Sequence, residues 1–287
     1  MYFGHLKKLI SPNWYKASLV ETAKILVFRR ELLWEMCKLE LRERYAGQVL
    51  GLFWTVALPL LTMAVYLFIF AFVFKAKMSV VQSGSAGWGE SYALYLLSGL
   101  IPWMALQDIM VRSATAISSN ASMVKQVVFP LEILPLKMLY PAAINLGITL
   151  AIFILYGLLA YGLPSPLLLA LPLVVAVQLV AGAGMALLFS SAGAYLRDMK
   201  DLVGVLCFIL VYCMPIFFTP GMLPPWAYNI ILLNPLSHMV LVYHDILYHG
   251  QITSPLSWVV FPLFAVGMWA VGCRTFQTVK HFFGNVL

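Results

Sequence analysis

The chain has 287 residues, of which 62% are hydrophobic and only 10% charged, and its mean hydropathy is +0.91. A soluble domain carries about 25% charged residues, so this composition excludes an ordinary soluble protein and predicts an all-α protein that crosses a membrane repeatedly. The formal charge of +7 is interpreted as attraction to anionic membrane lipids. Nucleic acid is not an expected partner, because no exposed basic stripe with interleaved aromatic residues is left over.

The first segment, residues 1–45, is dense in charge and precedes a transmembrane domain predicted over residues 46–287. It lacks the short apolar core and cleavage site of a signal peptide. Within residues 21–45, apolar side chains recur at helical spacing among charged ones. This pattern predicts an amphipathic helix lying in the cytoplasmic membrane interface, although a helix packed on a protein partner fits it too. The apolar positions are Ile25, Phe28, Leu32, Met36 and Leu39.

Six apolar runs follow, each taken as a membrane helix of about 20 residues. The signal "YGLPSP" at residues 161–166 separates the third run from the fourth. With the N-terminus in the cytoplasm, sixteen of the eighteen Lys and Arg residues lie on the cytoplasmic side, all but Lys75 and Lys77. Both termini are therefore predicted to be cytoplasmic. The predicted spans are residues 49–74, 92–111, 136–159, 167–195, 202–218 and 256–273.

The external segment at residues 219–254 contains two apolar stretches that are too short to span a membrane. The sequence "NPLS" separates them. We predict two short re-entrant helices before the last span, because lipid does not tolerate unpaired backbone groups. Such helices would gate the outer mouth of a pathway, and an interfacial hairpin without a gating role fits about equally well. The spacing of His238, His244, His249 and Asp245 fits no known metal site, so hydrogen-bonding or capping roles are expected and no metal is predicted.

The chain lacks the motifs of an enzyme. It has no GxxxxGK[ST] phosphate loop, no HExxH motif and no paired Cys/His ligands, so no cofactor is predicted for this chain and its four cysteines are expected to be packing residues. Asp108 and Arg112 are spaced to pair with each other on one helix. Ion-coupled carriers usually place carboxylates or histidines along their path, and this sequence does not.

Aromatic side chains recur at helical spacing in the first and fifth predicted spans. Stripes of this kind usually pack in a core or face lipid, and the sequence slightly favours that interpretation. In a conduit for sugars the same rings would stack on pyranose faces and give a path without charge selectivity. The substrate-channel candidates are Tyr66, Phe70, Phe74, Phe208 and Tyr212.

Four segments, in order along the chain, resemble those of ABC-2-type export permeases for polysaccharides. One departure is Gln48, where a Ser or a similar small residue is expected. The segments are "RYAGQVLGLFWTVALPLL" with Arg44, Tyr45, Leu50, Gly51, Trp54 and Pro59; "NASMVKQVVFPLEILPL" with Asn120, Phe129, Pro130, Glu132 and Pro135; "YLRDMKD" with Arg197 and Asp198; and "LNPLSHMV" with Asn234 and Pro235.

The resemblance implies the membrane-spanning subunit of an ATP-driven exporter, which moves a lipid-linked polysaccharide, first of all O-antigen, across the bacterial inner membrane. It further implies a homodimer joined by two copies of a separate ATP-binding cassette subunit, which binds ATP and Mg. The same architecture also serves capsule, teichoic acid, small lipids or drugs. A membrane glycan-lipid transferase is a rival of another class, but the sequence lacks the clustered Asp, Glu or His that such chemistry needs.

The resemblance also suggests roles for cytoplasmic residues. Residues 118–128 are expected to couple the permease to the ATPase, as a short helix capped by Ser118 to Asn120. Residues 21–45 are expected to frame a lateral entrance for the lipid-linked end of the cargo. The coupling candidates are Ser118, Asn120, Lys125 and Glu132; the entrance candidates are Arg29, Arg30, Arg42, Arg44 and Tyr45; and Arg197 and Asp198 form a cytoplasmic turn.

Overall fold

The computed structural model describes residues 28–44, 51, 53–69, 88, 92–126, 130–219 and 222–286. Within these ranges the chain forms helices and no strand, as apolar segments in lipid must, because a helix pairs its backbone groups within one segment. The α-helices are α1 Arg30–Arg44, α2 Phe53–Leu67, α3 Tyr92–Ser113, α4 Ala121–Gln126, α5 Ile133–Leu136, α6 Leu139–Tyr161, α7 Leu171–Gly193, α8 Met199–Tyr212, α9 Pro225–Leu232, α10 Pro235–His244, α11 Ser257–Val279 and α12 Phe283–Val286.

Four helical segments of the described chain are long and apolar enough to cross a membrane. They contain α3, α6, α7 and α11, and they correspond to the spans predicted at residues 92–111, 136–159, 167–195 and 256–273. The bent pair of α9 and α10 raises the number to five if it counts as one span. The helices α2 and α8 have 15 and 14 residues, which is short of the roughly 20 that a span requires. The total of six spans therefore stays a prediction.

Two long helices, α7 and α11, pack against each other more extensively than any other described pair. Their backbones meet at Gly184 and Gly272. A Cβ atom at Gly184 would lie 2.3 Å from the carbonyl carbon of Met268, and one at Gly272 would lie 2.1 Å from the carbonyl oxygen of Gly184. Small residues at a crossing allow this approach, which gains dispersion energy where lipid supplies no hydrophobic driving force.

Helix α3 lies at the centre of the fold, in contact with α6, α7, α8 and α10. A buried polar link fixes it there. The Gln178 Nε2 atom donates a hydrogen bond to the Pro102 carbonyl oxygen at 2.8 Å, and the Tyr243 hydroxyl donates to Gln178 Oε1. Because a buried amide without partners is costly, this link sets how α3, α7 and α10 are rotated relative to one another.

Residues 219–254, which are predicted to be external, contain two short helices, α9 and α10, with a bend of 102° between them. The Asn234 side-chain oxygen accepts a hydrogen bond from the Leu236 N–H at 3.1 Å, and Pro235 occupies the first turn, both of which favour starting a new helix. The two helices differ in burial. Helix α10 is buried along its length, whereas α9 exposes Trp226 and Ile230. The re-entrant pair and the interfacial hairpin both stay predictions.

The first described helix, α1, covers the C-terminal part of the predicted amphipathic segment. Residues 21–27 and 45 lie outside the described part of the chain, as does the predicted domain boundary. The apolar face of α1 is divided. Met36 is buried and Leu32 packs beside it, but Phe28 is 80% exposed and Leu39 is exposed too. The helix is held by a short ion pair between Glu40 Oε2 and Lys137 Nζ at 2.9 Å.

Candidate functional site

A groove of about 370 Å³ runs between α2, α3 and α8. Two of the five substrate-channel candidates line it, Tyr66 from α2 and Phe208 from α8. Between them α3 contributes Trp103, Gln107 and Asp108. We call this surface the aromatic groove. It combines large apolar rings with a few polar groups, a composition suited to a ligand that has both apolar faces and hydroxyl groups.

Four aromatic rings meet beside the aromatic groove. The centroid of the Phe217 ring lies 5.4 Å from that of Tyr66 and 5.3 Å from that of Tyr212, and the centroids of Tyr212 and Phe208 are 5.5 Å apart. The structure thus brings together three candidates from two predicted spans that are far apart in sequence. Phe70 and Phe74, the other two candidates, lie outside the described residues.

The sequence prediction missed Phe217, which follows Pro215 in the turn after α8. Two tyrosines of α3 hold this turn. The Tyr92 hydroxyl donates to the Phe217 carbonyl oxygen at 2.9 Å, and the Tyr95 hydroxyl lies 3.0 Å from the carbonyl oxygen of Pro215. A signal was present, because a proline just beyond a helix frees backbone carbonyls that need donors, but nothing in the sequence identifies the donors.

A second cavity, of about 480 Å³, opens at the predicted cytoplasmic end of the aromatic groove and shares Asp108 and Val111 with it. We call it the vestibule. Its walls come from α1, the end of α3, the segment after α3 and the start of α8. Three acidic and three basic side chains line it, so their charges balance: Glu40, Glu43, Asp108, Arg112, Lys137 and Lys200.

Asp108 stands where the cavities join. Its Oδ1 atom accepts a hydrogen bond from Arg112 Nε at 2.7 Å, which confirms the pairing predicted from their spacing. Its Oδ2 atom lies 3.1 Å from Arg44 Nη1, 64 residues away in sequence, and this second partner was not predicted. The three side chains are partly buried, with 11% of Arg44 exposed. The carboxylate therefore joins the end of α1 to the end of α3.

A third cavity, of about 150 Å³, lies behind Asp108 between α2, α3 and α6. Arg44, Thr62 and Thr149 are among its polar lining residues. The Oδ1 atom of Asn145 also borders this cavity and is buried without a hydrogen-bond partner among the described residues. The third cavity therefore places polar groups beside the first predicted span, next to the predicted entrance.

The predicted coupling segment forms a 3-10 turn over Ser118–Asn120 followed by the short helix α4. The predicted capping is wrong, because the side chains do not accept hydrogen bonds from N–H groups of the helix that follows but donate to carbonyl groups before it. The hydroxyls of Ser118 and Ser119 donate to the Thr115 carbonyl oxygen, and the Asn120 amide donates to that of Ala116 at 2.8 Å. These side chains satisfy carbonyl groups in the turn just after α3. The chain continues there from α3 almost without a break.

The other coupling candidates occupy contrasting positions. Lys125 is exposed on α4. Glu132 is buried, with 2% of its side chain exposed, and its Oε1 atom accepts hydrogen bonds from Gln277 at 2.9 Å and from Lys280 at 3.0 Å. Ser119 and Asn120 line the vestibule, so one segment contributes both a free surface and a wall of the cavity.

The remaining entrance and turn candidates lie on the surface. Arg29, Arg30 and Arg42 are exposed on or beside α1, whereas Arg44 is the partner of Asp108. Tyr45 lies outside the described residues. Arg197 and Asp198 are exposed in the turn between α7 and α8, and the Asp198 side chain makes no capping hydrogen bond although it precedes α8.

Two of the four His and Asp residues in the segment predicted to be external, His238 and Asp245, make hydrogen bonds, as predicted. The carboxylate of Asp245 accepts hydrogen bonds from Thr253, the Ser254 N–H and Trp258 Nε1, the last at 2.9 Å. His238 bonds Ser257 Oγ at 2.9 Å. His244 differs, because it is buried with no hydrogen-bond partner among the described residues and packs edge-on to the Tyr95 ring.

The cysteines are packing residues in three of four cases. Cys37, Cys207 and Cys273 are buried, and Cys213 is exposed at the end of α8. Cys37 lies on α1, outside the predicted spans. Burial raises the pKa of its thiol to about 11, because a thiolate loses solvation there.

The chain is similar in sequence to several known proteins. The profile of the family described as ABC-2 type transporter matches residues 31–248. The chain is 26% identical over 259 residues to the O-antigen export system permease protein RfbA of Klebsiella pneumoniae, covering 90% of this chain and 95% of the relative. It is 24% identical to the RfbA protein of Myxococcus xanthus, over 78% of this chain and 82% of that protein. It is 22% identical to the polysialic acid transport protein KpsM of Escherichia coli, over 83% and 90% respectively.

Proposed function

Because the chain belongs to the ABC-2 type transporter family, we propose that it is the membrane-spanning subunit of an ATP-driven exporter of a lipid-linked polysaccharide, with O-antigen as the first candidate cargo. The observation that carries the proposal is the connection of the vestibule to the aromatic groove at Asp108 and Val111. A polymer would enter through the charged vestibule and continue along Trp103, Tyr66 and Phe208. The names of the relatives supply the class of cargo.

The composition of the path suits a polysaccharide better than an ion or a small apolar drug. Aromatic rings favour the apolar faces of sugar rings, and the hydroxyl and amide groups of Thr62 and Gln107 offer hydrogen bonds. The balanced charge of the vestibule neither traps nor repels a polymer of either sign strongly. A path of this kind binds each sugar weakly, so that a long chain keeps moving.

A second copy of the chain completes the path in this proposal. The aromatic groove is open on one side, and the neighbouring faces of α2 and α8 expose apolar residues such as Leu61 and Val205. If lipid covered the opening, Asp108 and Gln107 would border hydrocarbon, which is costly for polar groups. A homodimer with α2 and α8 of both copies at its centre removes that cost.

The lipid-linked end of the cargo enters beside α1. Arg112 borders the vestibule and Arg44 borders the small cavity behind α2, and both are paired with Asp108. A phosphate-bearing headgroup in the vestibule would meet the Arg112 guanidinium group. Guanidinium groups bind phosphate by paired, charge-assisted hydrogen bonds. The exposed Phe28 and Leu39 on α1 would rest in the membrane interface, and Arg29, Arg30 and Arg42 would contact anionic lipids.

The ATP-hydrolysing partner docks at α4 and the turn before it. Exposed Lys125 provides a contact for that subunit, which binds ATP and Mg in its own chain, two copies to each pair of permeases. Movement of α4 reaches the path directly, because Ser119 and Asn120 are part of the vestibule wall. At the other side of the membrane, α9 and α10 form the outer gate as re-entrant helices, and both termini are cytoplasmic in the bacterial inner membrane.

The test is reconstitution. An affinity-tagged permease is expected to co-purify with the ATP-binding subunit of its own exporter and, in lipid nanodiscs, ATP hydrolysis should rise on addition of polyprenyl-diphosphate-linked O-antigen. Capsule glycan on a phospholipid anchor, a teichoic acid precursor and a small lipid serve as alternative cargoes, and preferential stimulation by one of them would reassign the substrate. Cargo transfer or modification by the permease alone would refute the proposal.

A matched pair of charge reversals tests the coupling assignment. Lys125→Glu on α4 is expected to reduce retention of the ATP-binding subunit, whereas Lys38→Glu on α1, where Lys38 is also cationic and part-exposed, should leave retention near that of the parent. Equal retention of the ATP-binding subunit in both variants, with export intact, would show that α4 is not the docking element.

A further inference from the structure

The C-terminal end of the chain folds back onto the coupling segment. Gln277 lies in the last turn of α11, Lys280 follows in a 3-10 turn, and Phe283 begins α12. We call these three residues the C-terminal brace. They lie beyond residue 248, where the match to the family profile ends.

The polar half of the brace determines where Glu132 lies. One carboxylate oxygen, Oε1, accepts hydrogen bonds from both Gln277 and Lys280, which are 145 and 148 residues further along the chain. The Glu132 side chain is almost completely buried, and a buried carboxylate is tolerated only when it is paired and hydrogen-bonded. The position of Glu132, just before α5, therefore depends on the C-terminal end of the chain.

The apolar half of the brace contacts α4, the helix of the coupling segment. Phe283 is fully buried, and its ring lies 5.5 Å from that of Phe276 and 6.2 Å from that of Tyr195, measured between centroids. Met123 and Val124 of α4 pack against the same cluster, and α12 contacts α4 directly. One short piece of chain thus holds both α4 of the coupling segment and Glu132, which follows that segment in sequence.

The C-terminal brace is continuous with the close-packed helix pair α7–α11. Helix α11 leads into the brace and is also the helix whose backbone meets α7 at Gly184 and Gly272. A displacement of α4 is consequently resisted by the close-packed α7–α11 pair.

We propose that the C-terminal brace positions the coupling segment, so that force from the ATP-binding subunit moves α11 and α7 instead of bending α4 alone. This inference rests on the proposed coupling role of α4. Glu132 is then a positioning residue that acts through Gln277 and Lys280, and it does not touch the ATP-binding subunit. Loss of the brace separates ATP hydrolysis from export while the two subunits remain bound.

The test uses the complete complex of permease and ATP-binding subunit in nanodiscs and in cells. Lys280→Met removes the ammonium group and keeps the apolar stem, and His281→Met, at the exposed neighbouring position, is the matched control. We expect Lys280→Met to retain the ATP-binding subunit at parental stoichiometry, with export per ATP hydrolysed reduced roughly 2- to 30-fold, the range found for mutations between coupled sites. The His281→Met complex should match the parent.

Two further variants separate positioning from folding. Glu132→Gln keeps the shape and can still accept both hydrogen bonds, so it decides the question if Lys280→Met fails to assemble, and it should lower export per ATP to a smaller degree. The exchange of Glu132→Lys with Lys280→Glu should restore much of the export that Lys280→Glu alone loses. Parental export per ATP in every assembled variant, with only the amount of folded protein reduced, would overturn the inference.

The outcomes distinguish this inference from the function on which it depends. If Lys125→Glu leaves docking and export intact, the coupling role of α4 fails and the brace fails with it. If Lys125→Glu releases the ATP-binding subunit and Lys280→Met leaves export per ATP unchanged, α4 is the docking element but the brace does not position it. The coupling role of α4 and the role of the brace are both supported only if Lys125→Glu releases the ATP-binding subunit and Lys280→Met lowers export per ATP hydrolysed.

Discussion

The helix pairs α7–α11 and α2–α8 are both built from apolar residues, but the first pair packs closely and the second does not. In α7–α11, Gly184 and Gly272 bring the two backbones into contact. Around α2–α8, the helices stand apart and leave the aromatic groove between them and α3. The content of large aliphatic residues alone does not distinguish the pairs, because both are rich in Leu and Val.

The difference lies in which positions are small and which are large. Where small residues face each other, helices pack closely and can transmit force. Where large aromatic residues project from separated helices, as Tyr66 and Phe208 do, a cavity remains for a ligand. The protein thus combines a close-packed helix pair with a pair that borders the proposed path, and the following experiments test that division.

The largest effect is expected at the α7–α11 crossing. Gly272→Ala places a Cβ atom 2.1 Å from the Gly184 carbonyl oxygen, so the helices must separate, and the free energy of unfolding should fall by about 3 kcal/mol, at the upper end for overpacking. Gly267→Ala, on the same helix with nothing within 4 Å of the added atom, is the control. Thermal unfolding in nanodiscs measures both, and similar melting temperatures for the two variants would remove the case for a close-packed pair.

Next comes the ion pairing at Asp108, which borders the proposed path. Asp108→Asn leaves Arg44 and Arg112 without their carboxylate, and we expect a loss of about 1–2 kcal/mol in stability, intermediate between exposed and buried pairs. Glu35→Gln breaks the exposed pair between Glu35 and Lys38 and should cost no more than about 0.5 kcal/mol. Chemical denaturation of both variants gives the comparison, and equal costs would mean that Asp108 is an ordinary surface residue.

A smaller effect on stability but a measurable one on transport is expected in the aromatic groove. Phe208→Ala should reduce export per complex by about 2- to 12-fold, the equivalent of one lost aromatic contact of about 0.5–1.5 kcal/mol. Leu202→Ala, on the same helix and also exposed but absent from the groove lining, should export at the parental rate. If the two alanine variants behave alike in a cell-surface glycan assay, Phe208 faces lipid rather than cargo.

The last experiment changes neither stability nor export and concerns the reactivity of Cys37 on α1. Its pKa of about 11 means that only about one thiol in a thousand is ionised at pH 8, against roughly a quarter for an unperturbed cysteine. Because the thiolate is the reacting form, maleimide labelling of Cys37 should be slow at pH 7 and accelerate about tenfold per pH unit up to pH 10. A cysteine introduced at exposed Leu39 should label quickly at pH 8, and fast labelling of Cys37 at that pH would show that α1 is not docked.

The long apolar helices could be predicted from the sequence because a run of uncharged residues in lipid has one conformation available. The predicted spans at 92–111 and 167–195 lie close to α3 and α7 for that reason. The shorter α2 and α8 left the number of spans open, since their ends depend on turns such as that at Pro215. Pairing over short sequence distances, as between Asp108 and Arg112, was likewise predictable from helical spacing.

Contacts between distant segments could not be predicted in this way. The sequence does not show how α1 is rotated, so the contact between Arg44 and Asp108 could not be predicted. The burial of Glu132 against Lys280 could not be predicted either. The aromatic candidates Tyr66 and Phe208 were chosen by spacing within each helix, and the structure supplied the approach of the two helices. Phe217 was missed because it lies in a turn whose position is determined by hydroxyl groups of another helix.

The buried link from the Pro102 carbonyl through Gln178 to Tyr243 constrains how this protein can evolve. Replacing Tyr243 alone would strand the amide oxygen of Gln178 away from water, and replacing Gln178 alone would strand the phenol. Either single step passes through a less stable protein, whereas a joint exchange for two aliphatic residues of similar volume does not. Homologous permeases should therefore carry the amide and the phenol together or lack both, and a lineage with only one of them would be expected to hold a compensating polar group on the neighbouring helix.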